Sequence, residues 1–408
     1  MNLESPRRPL PGIREILGGL SLQHATNAVV AFIFAASGPV AIILSVATQG
    51  GLAADQIASW LFGAFFLNGL VTIPYCLAYR QPLVFFWTIP GAVLVGPALA
   101  HASFPEVVGA YVVTGLLMLA LALSGLVRRG MAIVPLPIVM GMVAGVFLPF
   151  GLGWIAAFQQ DLPIAAGMTG AFLLASAVPA LARRVPPLIV ALLAGALLAV
   201  LTDGFGSVDG LTTALAVPRF VVPEFSGAVM LELVVPLAIT VLVIQNSQGI
   251  AVLTAGGHQP PTNSIAAACG VGSMVTALVG SVPTCLTGPV NAILAASGER
   301  ATQYTAGILV ALLGMAFGLF APVVTHVMLA APPALIAVLA GLAMLRVLAA
   351  SFAAAFKGPF MVGALVTFLV TVAGLPILNV GAPFWGLVFG VATSLILERH
   401  EFARARSA

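Results

Sequence analysis

The chain has 408 residues, of which 61% are hydrophobic and 7% charged, and no soluble enzyme or binding domain is built this way. Long apolar runs with few charges read as membrane-spanning helices, so the bilayer is the solvent this fold must satisfy. The net charge of +3 carries no sign of nucleic-acid binding, the alternating strands of an outer-membrane barrel are absent, and Cys76, Cys269 and Cys285 have neither metal-ligand nor disulfide spacing.

The start, "MNLESPRRPLPGIREILGG", is basic, and no cleavage site follows a short apolar region. It reads as a cytoplasmic tail over 1–17, not as a signal peptide. Fourteen apolar segments follow, at 18–45, 57–79, 83–102, 105–126, 132–156, 163–182, 186–203, 228–250, 262–280, 283–298, 302–322, 327–345, 358–375 and 380–397. With the N-terminus inside, 14 of the 15 basic residues, Arg346 among them, fall in cytoplasmic loops and tails, and Arg219 alone falls outside. The positive-inside rule asks for this bias, and it places both termini in the cytoplasm.

Seven segments precede the polar stretch 203–227 and seven follow it. An odd number per half makes the second half enter the membrane from the other side, the plan of an inverted repeat. "AASGPVAIILSVATQGG" (35–51) echoes "QNSQGIAVLTAGG" (245–257), and "TIPGAVLVGPALA" (88–100) echoes "CLTGPVNAILAAS" (285–297). Similarity by chance between Gly/Ala-rich helices is the competing explanation.

Segments three and ten are broken alike. "PLVFFWTIPG" (82–91) and "GSVPTCLTGP" (280–289) each run from an extended stretch into Thr, Pro and Gly. Proline suits the first turn of a helix and disturbs its interior. Each segment is therefore expected to enter as a short strand and become a helix near mid-membrane, with the two strands pairing. Such helices aim free N–H groups and about half a positive charge at whatever lies before them. Two of them make an anion site without a lysine or arginine. The alternative is a plain proline kink in each helix. Thr88, Thr284, Thr287 and Asn291 stand close enough in sequence to hydrogen-bond an oxygen-rich ligand.

The eighth segment contains "VIQNSQG" (243–249), four consecutive polar residues in an apolar helix. Gln245 and Gln248 share a helix face and Asn246 is turned away; interhelical hydrogen bonding is the bland alternative. Ser37 and Gly38 occupy the echoing position in segment one, and Phe32, Phe34, Phe85, Phe86 and Trp87 offer apolar surface for a flat ligand body.

The run "VIQNSQGIAVLTAGGHQPPTNS" followed by "GSVPTCLTGPVNAIL" resembles the BenE family of bacterial benzoate:proton symporters, most strongly over 230–300. That family is similar in fold to the uracil/xanthine permeases. The resemblance implies an all-α polytopic fold of two inverted seven-span repeats, with short strands before half-helices in spans three and ten. It implies a core domain (18–126 and 228–322) and a gate domain (127–203 and 323–397), joined by an extracytoplasmic linker (204–227) and followed by a cytoplasmic tail (398–408). It also implies an elevator-like movement of core against gate, and it leaves a homodimer through the gate domains open. The substrate site implied is Thr88, Gln245, Asn246, Thr284, Leu286, Thr287, Gly288 and Asn291, with Ser37, Phe32 and Trp87. The permeases carry acidic residues where this chain has Gln245 and Pro289. Neutral groups there suit a carboxylate, which at pH 7 is ionised like other carboxyls of pKa about 4. They also remove the obvious proton carrier.

Three residues remain as proton-coupling candidates: His24 in "SLQHATN", Glu232 near the start of segment eight, and His326. Intramembrane ionisable groups are functional candidates by default, but all three lie toward helix ends, where capping or interfacial roles compete. The expected function is import of a small aromatic carboxylate with protons across the bacterial inner membrane. A symporter or exchanger for another organic anion, or a passive anion channel, is the alternative. No nucleotide loop, metal cluster or nucleophile–base pair points to an enzyme, and no cofactor is expected.

Overall fold

The computed structural model describes residues 3–6, 9–127, 134–178, 185–202, 204, 206, 215–296, 298–374, 377 and 381–402. Among these, seven helical stretches, including Leu22–Gln49, Gly227–Ala255 and Pro333–Phe356, are long and apolar enough to cross a bilayer, and six further apolar helices have 10–17 residues. A helix satisfies its own backbone, which lipid requires of any spanning segment.

The first half runs α1 (Ile13–Gly19), α2 (Leu22–Ala36), α3 (Gly38–Gln49), α4 (Ala54–Phe62), α5 (Asn68–Tyr79), β1 (Phe85–Trp87), α6 (Ile89–Leu99), α7 (Phe104–Ser124), α8 (Leu136–Gln160), α9 (Leu162–Ala177) and α10 (Pro187–Leu201). The second runs α11 (Gly227–Ile239), α12 (Ser247–Ala255), α13 (Thr262–Ala277), β2 (Thr284–Leu286), α14 (Gly288–Ala295), α15 (Gln303–Leu319), α16 (Ala321–Ala330), α17 (Pro333–Phe356), α18 (Met361–Ala373) and α19 (Ala382–Leu397). Wide π turns join α4 to α5 (Gly63–Leu67) and α11 to α12 (Thr240–Asn246).

Packing separates two groups of helices. α8, α9 and α10 pack with α17, α18 and α19, while α2, α5, α7, α11 and α13–α15 gather around the strands. Small residues let helices approach to backbone contact. A Cβ on Gly115 of α7 would lie 2.7 Å from the Gly270 carbonyl oxygen of α13, and one on Gly270 2.8 Å from that of Gly115. In the other group, the Glu398 carboxylate just past α19 accepts Val362 N–H (2.8 Å) and Gly363 N–H (3.0 Å), closing the start of α18. Burial alone would raise this carboxyl; the bonds from Ser394, Gly363 and Val362 outweigh it and hold the group below the ordinary carboxylate range.

The two strands pair antiparallel, with Phe85 opposite Leu286, Phe86 opposite Cys285 and Trp87 opposite Thr284. A two-stranded ladder leaves outward backbone groups unpaired, which is costly inside a membrane. Side chains from four helices close them. Thr72 Oγ1 accepts Phe85 N–H (2.9 Å) and donates to the Phe85 carbonyl (3.2 Å). Ser273 Oγ accepts Thr284 N–H (3.0 Å), and Asn246 Oδ1 accepts Leu286 N–H (2.8 Å). The Asn291 amide clamps Val84, accepting its N–H at 3.0 Å and donating to its carbonyl at 3.1 Å. Broken chain is thereby tolerated, because helical side chains take the place of the water that lipid lacks.

Three boundaries differ from the sequence-based expectation. The first segment, expected as one span over 18–45, breaks at Ser37 (φ −93°, ψ −104°), where Gly38-Pro39 starts a new helix. The eighth, expected to end at 250, continues to Ala255 through its π turn. The twelfth, expected over 327–345, is two helices: α16 ends at Ala330, and α17 starts at Pro333 and runs to Phe356. Pro332-Pro333 makes this break, since proline is at home in the first turn of a helix and not in its middle. Arg346 therefore sits inside a helix, thirteen residues after Pro333 and ten before Phe356, and not in a loop.

Candidate functional site

Both half-helices begin at the strand pair. Antiparallel pairing puts their starts at opposite ends of it, about 10–13 Å apart at ~3.3 Å per strand residue. The two starts are chemically unequal. The Thr88 hydroxyl is fully buried, accepts Gly91 N–H (3.1 Å) as the cap of α6, and donates to Thr240 Oγ1 (3.2 Å). The Thr287 hydroxyl caps nothing. It lies beside the Cys285 thiol and finds no hydrogen-bond partner of normal geometry among the described residues, although the residue is 6% exposed. The indole Nε1 of Trp87, 3% exposed, also finds no hydrogen-bond partner among the described residues.

Thr287 and Trp87 line a cavity of about 920 Å³ between the two helix groups, within the range of about 300–1,000 Å³ usual for small-molecule sites. One wall carries Phe34, Trp87, Pro90, Gln245, Gln248 and Thr287. The facing wall comes from α8 (Met140, Phe147), α9 (Phe172), α10 (Leu188) and one stripe of α17 from Leu342 to Ala354. Gln248 leans over the start of α14, where a Cβ on Gly288 would lie 2.6 Å from its side chain. Most of the lining is apolar, and Arg346 is the one formally charged residue in it among the described residues. Such a cavity suits a flat apolar body with one anionic end: rings and aliphatics for the body, buried N–H and O–H donors and positive helix ends for the charge.

The sequence-derived candidates separate into three sets. Gln245, Thr287 and Trp87 are brought together at the cavity, and Gly288 makes room beside it. Asn246, Thr284, Leu286, Asn291 and Thr88 stand behind them and do not line it. Asn246, Asn291 and Thr88 hold the strands and the cap, and Thr284 donates to Asn68 Oδ1 (2.7 Å). Phe32 packs edge-on against Phe317 at 5.8 Å while Phe34 reaches the cavity, and Ser37 donates to the Phe34 carbonyl (3.2 Å) at the α2–α3 break. The proton-coupling candidates lie away from the cavity. His24 closes the start of α2, with its Nδ1 3.0 Å from both Ser21 Oγ and the Gly19 carbonyl. His326 is half-buried on α16. Glu232, 2% exposed, is paired with His101 Nε2 at 2.9 Å.

Arg346 and His101 escaped sequence reasoning. Counting charges by loops had placed Arg346 at a membrane face; the unbroken apolar run after Pro332-Pro333 was the signal that it belongs mid-helix. The sequence offers an anion site of peptide dipoles without a lysine or arginine; Arg346 lines the same cavity on the other wall. His101 carries no local signal, since its partner is 131 residues away.

Interrupted helices meeting at a strand pair, with an apolar cavity beside them, define a polytopic membrane transport protein. The profile of the BenE family, described as "Benzoate membrane transport protein", matches residues 19–396, and the chain belongs to that family, whose members are membrane transporters and not enzymes. It is 29% identical over 370 residues to "Inner membrane protein YdcO" of Escherichia coli, covering 89% of this chain and 93% of that one. It is 27% identical over 385 residues to "Benzoate membrane transport protein" of Acinetobacter baylyi, covering 92% and 95%. Among solved structures, the transmembrane domain of the cyanobacterial bicarbonate transporter BicA superposes with a TM-score of 0.60 at 18% identity, over 94% of this chain and 99% of that one. The murine anion transporter Slc26a9 in its inward-facing state gives 0.61 at 14% identity, over 98% and 74%. These two likenesses are of fold.

Proposed function

We propose that the protein imports benzoate, or a closely similar aromatic carboxylate, together with protons across the bacterial inner membrane. One observation carries this reading. Two buried donors, the Trp87 indole N–H before one half-helix and the Thr287 hydroxyl before the other, find no hydrogen-bond partner among the described residues and belong to residues that line a mostly apolar cavity. A buried donor left unpaired costs about 1–3 kcal/mol, so a ligand that accepts from both recovers that energy on binding. The family and the Acinetobacter relative, both described as benzoate membrane transport proteins, suggest the ligand's identity.

The cavity extends to Leu136, Pro187 and Ala354, near the ends of α8, α10 and α17 that neighbour the basic pairs 128–129 and 183–184 and Lys357 in sequence. By the positive-inside rule that face is cytoplasmic, both termini lie on it, and this form is open inward. In this reading the fourteen segments are two inverted sevens. The core (18–126 and 228–322) carries both strands and slides against the gate (127–203 and 323–397), whose outer surfaces also offer the contact for a homodimer. Of the three proton-coupling candidates, Glu232 has the strongest support, because it is buried in a spanning helix and directly paired with a second ionisable side chain, His101 Nε2 at 2.9 Å.

The test is counterflow of labelled benzoate in proteoliposomes. A carrier accumulates label against unlabelled internal benzoate, whereas a channel only equilibrates it. Acidifying the outside should raise uptake; a flat response to pH would remove the proton from the reaction, and absence of counterflow would remove the carrier.

A further inference from the structure

We infer that Arg346 is the counter-charge for the substrate carboxylate and sets the preference of the site for anions over neutral ligands of the same shape. The inference deepens the reading above and rests on it. Residues Leu342, Ala343, Arg346, Val347, Ala350 and Ser351 recur at the three-to-four spacing of one helix face and make the stripe of α17 that lines the cavity. Arg346 is exposed on that stripe. Among the described residues it makes no ion pair or hydrogen bond, and no Asp, Glu, His or Lys shares the lining with it.

Its depth excludes the common alternative of snorkelling to the headgroups. Ten residues separate it from the end of α17 at Phe356, about 15 Å at 1.5 Å per residue, beyond the reach of an arginine side chain. An arginine in a spanning helix is costly unless it faces a cavity and meets a partner there. Among the described residues the protein supplies none, and water in the inward-open cavity takes that place until the cargo carboxylate arrives. A guanidinium offers a planar fork of donors matched to a carboxylate, which the helix starts and the Thr287 hydroxyl on the opposite wall do not. Those opposite groups are dipoles; they favour a carboxylate over a neutral acceptor, but by less than a full guanidinium charge does. The larger share of the discrimination between a carboxylate and its uncharged amide therefore falls to Arg346.

The experiment compares benzoate with benzamide as ligands of the purified wild-type, Arg346→Gln and Arg346→Lys proteins, by titration calorimetry. Arg346 has no partner to lose among the described residues, so both variants should keep the thermal unfolding midpoint of the wild type, and this is checked first. The wild type should prefer benzoate. Arg346→Gln should weaken benzoate by roughly tenfold or more and leave benzamide within about twofold, collapsing the ratio. Arg346→Lys should restore part of the preference, as a point charge without the fork. An unchanged benzoate-to-benzamide ratio in Arg346→Gln overturns the inference and leaves the transport reading standing. A wild type that binds no aromatic carboxylate overturns the transport reading, and the role of Arg346 with it.

Discussion

The two broken segments are near-copies in sequence pattern and opposites in state. At the first, Thr88 spends its hydroxyl inside the protein, capping α6 and bonding Thr240. At the second, Thr287 stands in the corresponding place, before a Gly-Pro start; the residue lines the cavity, and its hydroxyl finds no hydrogen-bond partner among the described residues. The same local device thus serves once as scaffold and once as a site. What separates them is the surroundings: Thr240 from the π turn reaches one threonine, and the Cys285 thiol lies beside the other hydroxyl, with no hydrogen-bond partner of normal geometry among the described residues.

Four substitutions break or sharpen this contrast, in descending order of expected effect. Asn291→Ala removes the clamp on Val84 and strands two buried backbone groups, at a cost of about 3 kcal/mol. The unfolding midpoint should drop sharply and benzoate binding disappear with it; a stable, binding-competent variant would mean the strands hold without the clamp. Thr287→Val should leave the midpoint in place and weaken benzoate about tenfold, since a hydrogen bond to a charged group is worth about 1.5–3 kcal/mol. Retained affinity with lowered stability would reverse the roles assigned to the two threonines. Trp87→Phe keeps the ring and deletes the N–H; a loss of about 1 kcal/mol, near fivefold in calorimetric affinity, is expected. Thr88→Val removes a helix cap worth about 1 kcal/mol, seen as a modest fall in the midpoint, with affinity within about twofold of wild type. Equal affinity losses at Thr88 and Thr287 would erase the contrast.

Much of this was legible in the sequence, and for identifiable reasons. Pro-Gly and Gly-Pro inside apolar runs announce a break, because lipid tolerates irregular backbone only where protein satisfies it. β1 and β2 accordingly fall inside the expected stretches. The partners that satisfy them were not legible: Thr72, Ser273, Asn246 and Asn291 look like ordinary polar residues on apolar helices until the fold brings them to the strands across up to 207 residues. Helical periodicity did turn Asn246 away from Gln245 and Gln248. It could not say that the averted face meets Leu286 N–H. Ala-rich α16 and α17 have no polar loop between them, so their division was misplaced and Arg346 with it. Two adjacent prolines were the better guide than charge.

The wall that bears both helix starts has no formally charged lining residue among those described, and the lone cation belongs to the facing helix group. In a carrier that shifts the first wall past the second, this has an electrical consequence. An inside-negative voltage opposes inward passage of one negative charge by about 2.3 kcal/mol per 100 mV. The lining of that wall adds no charge of its own, so a full cycle moves only the charge of the cargo and of any proton carried with it. One proton travelling with one monovalent anion cancels even that, and accumulation then follows the pH gradient with the membrane potential clamped at any value.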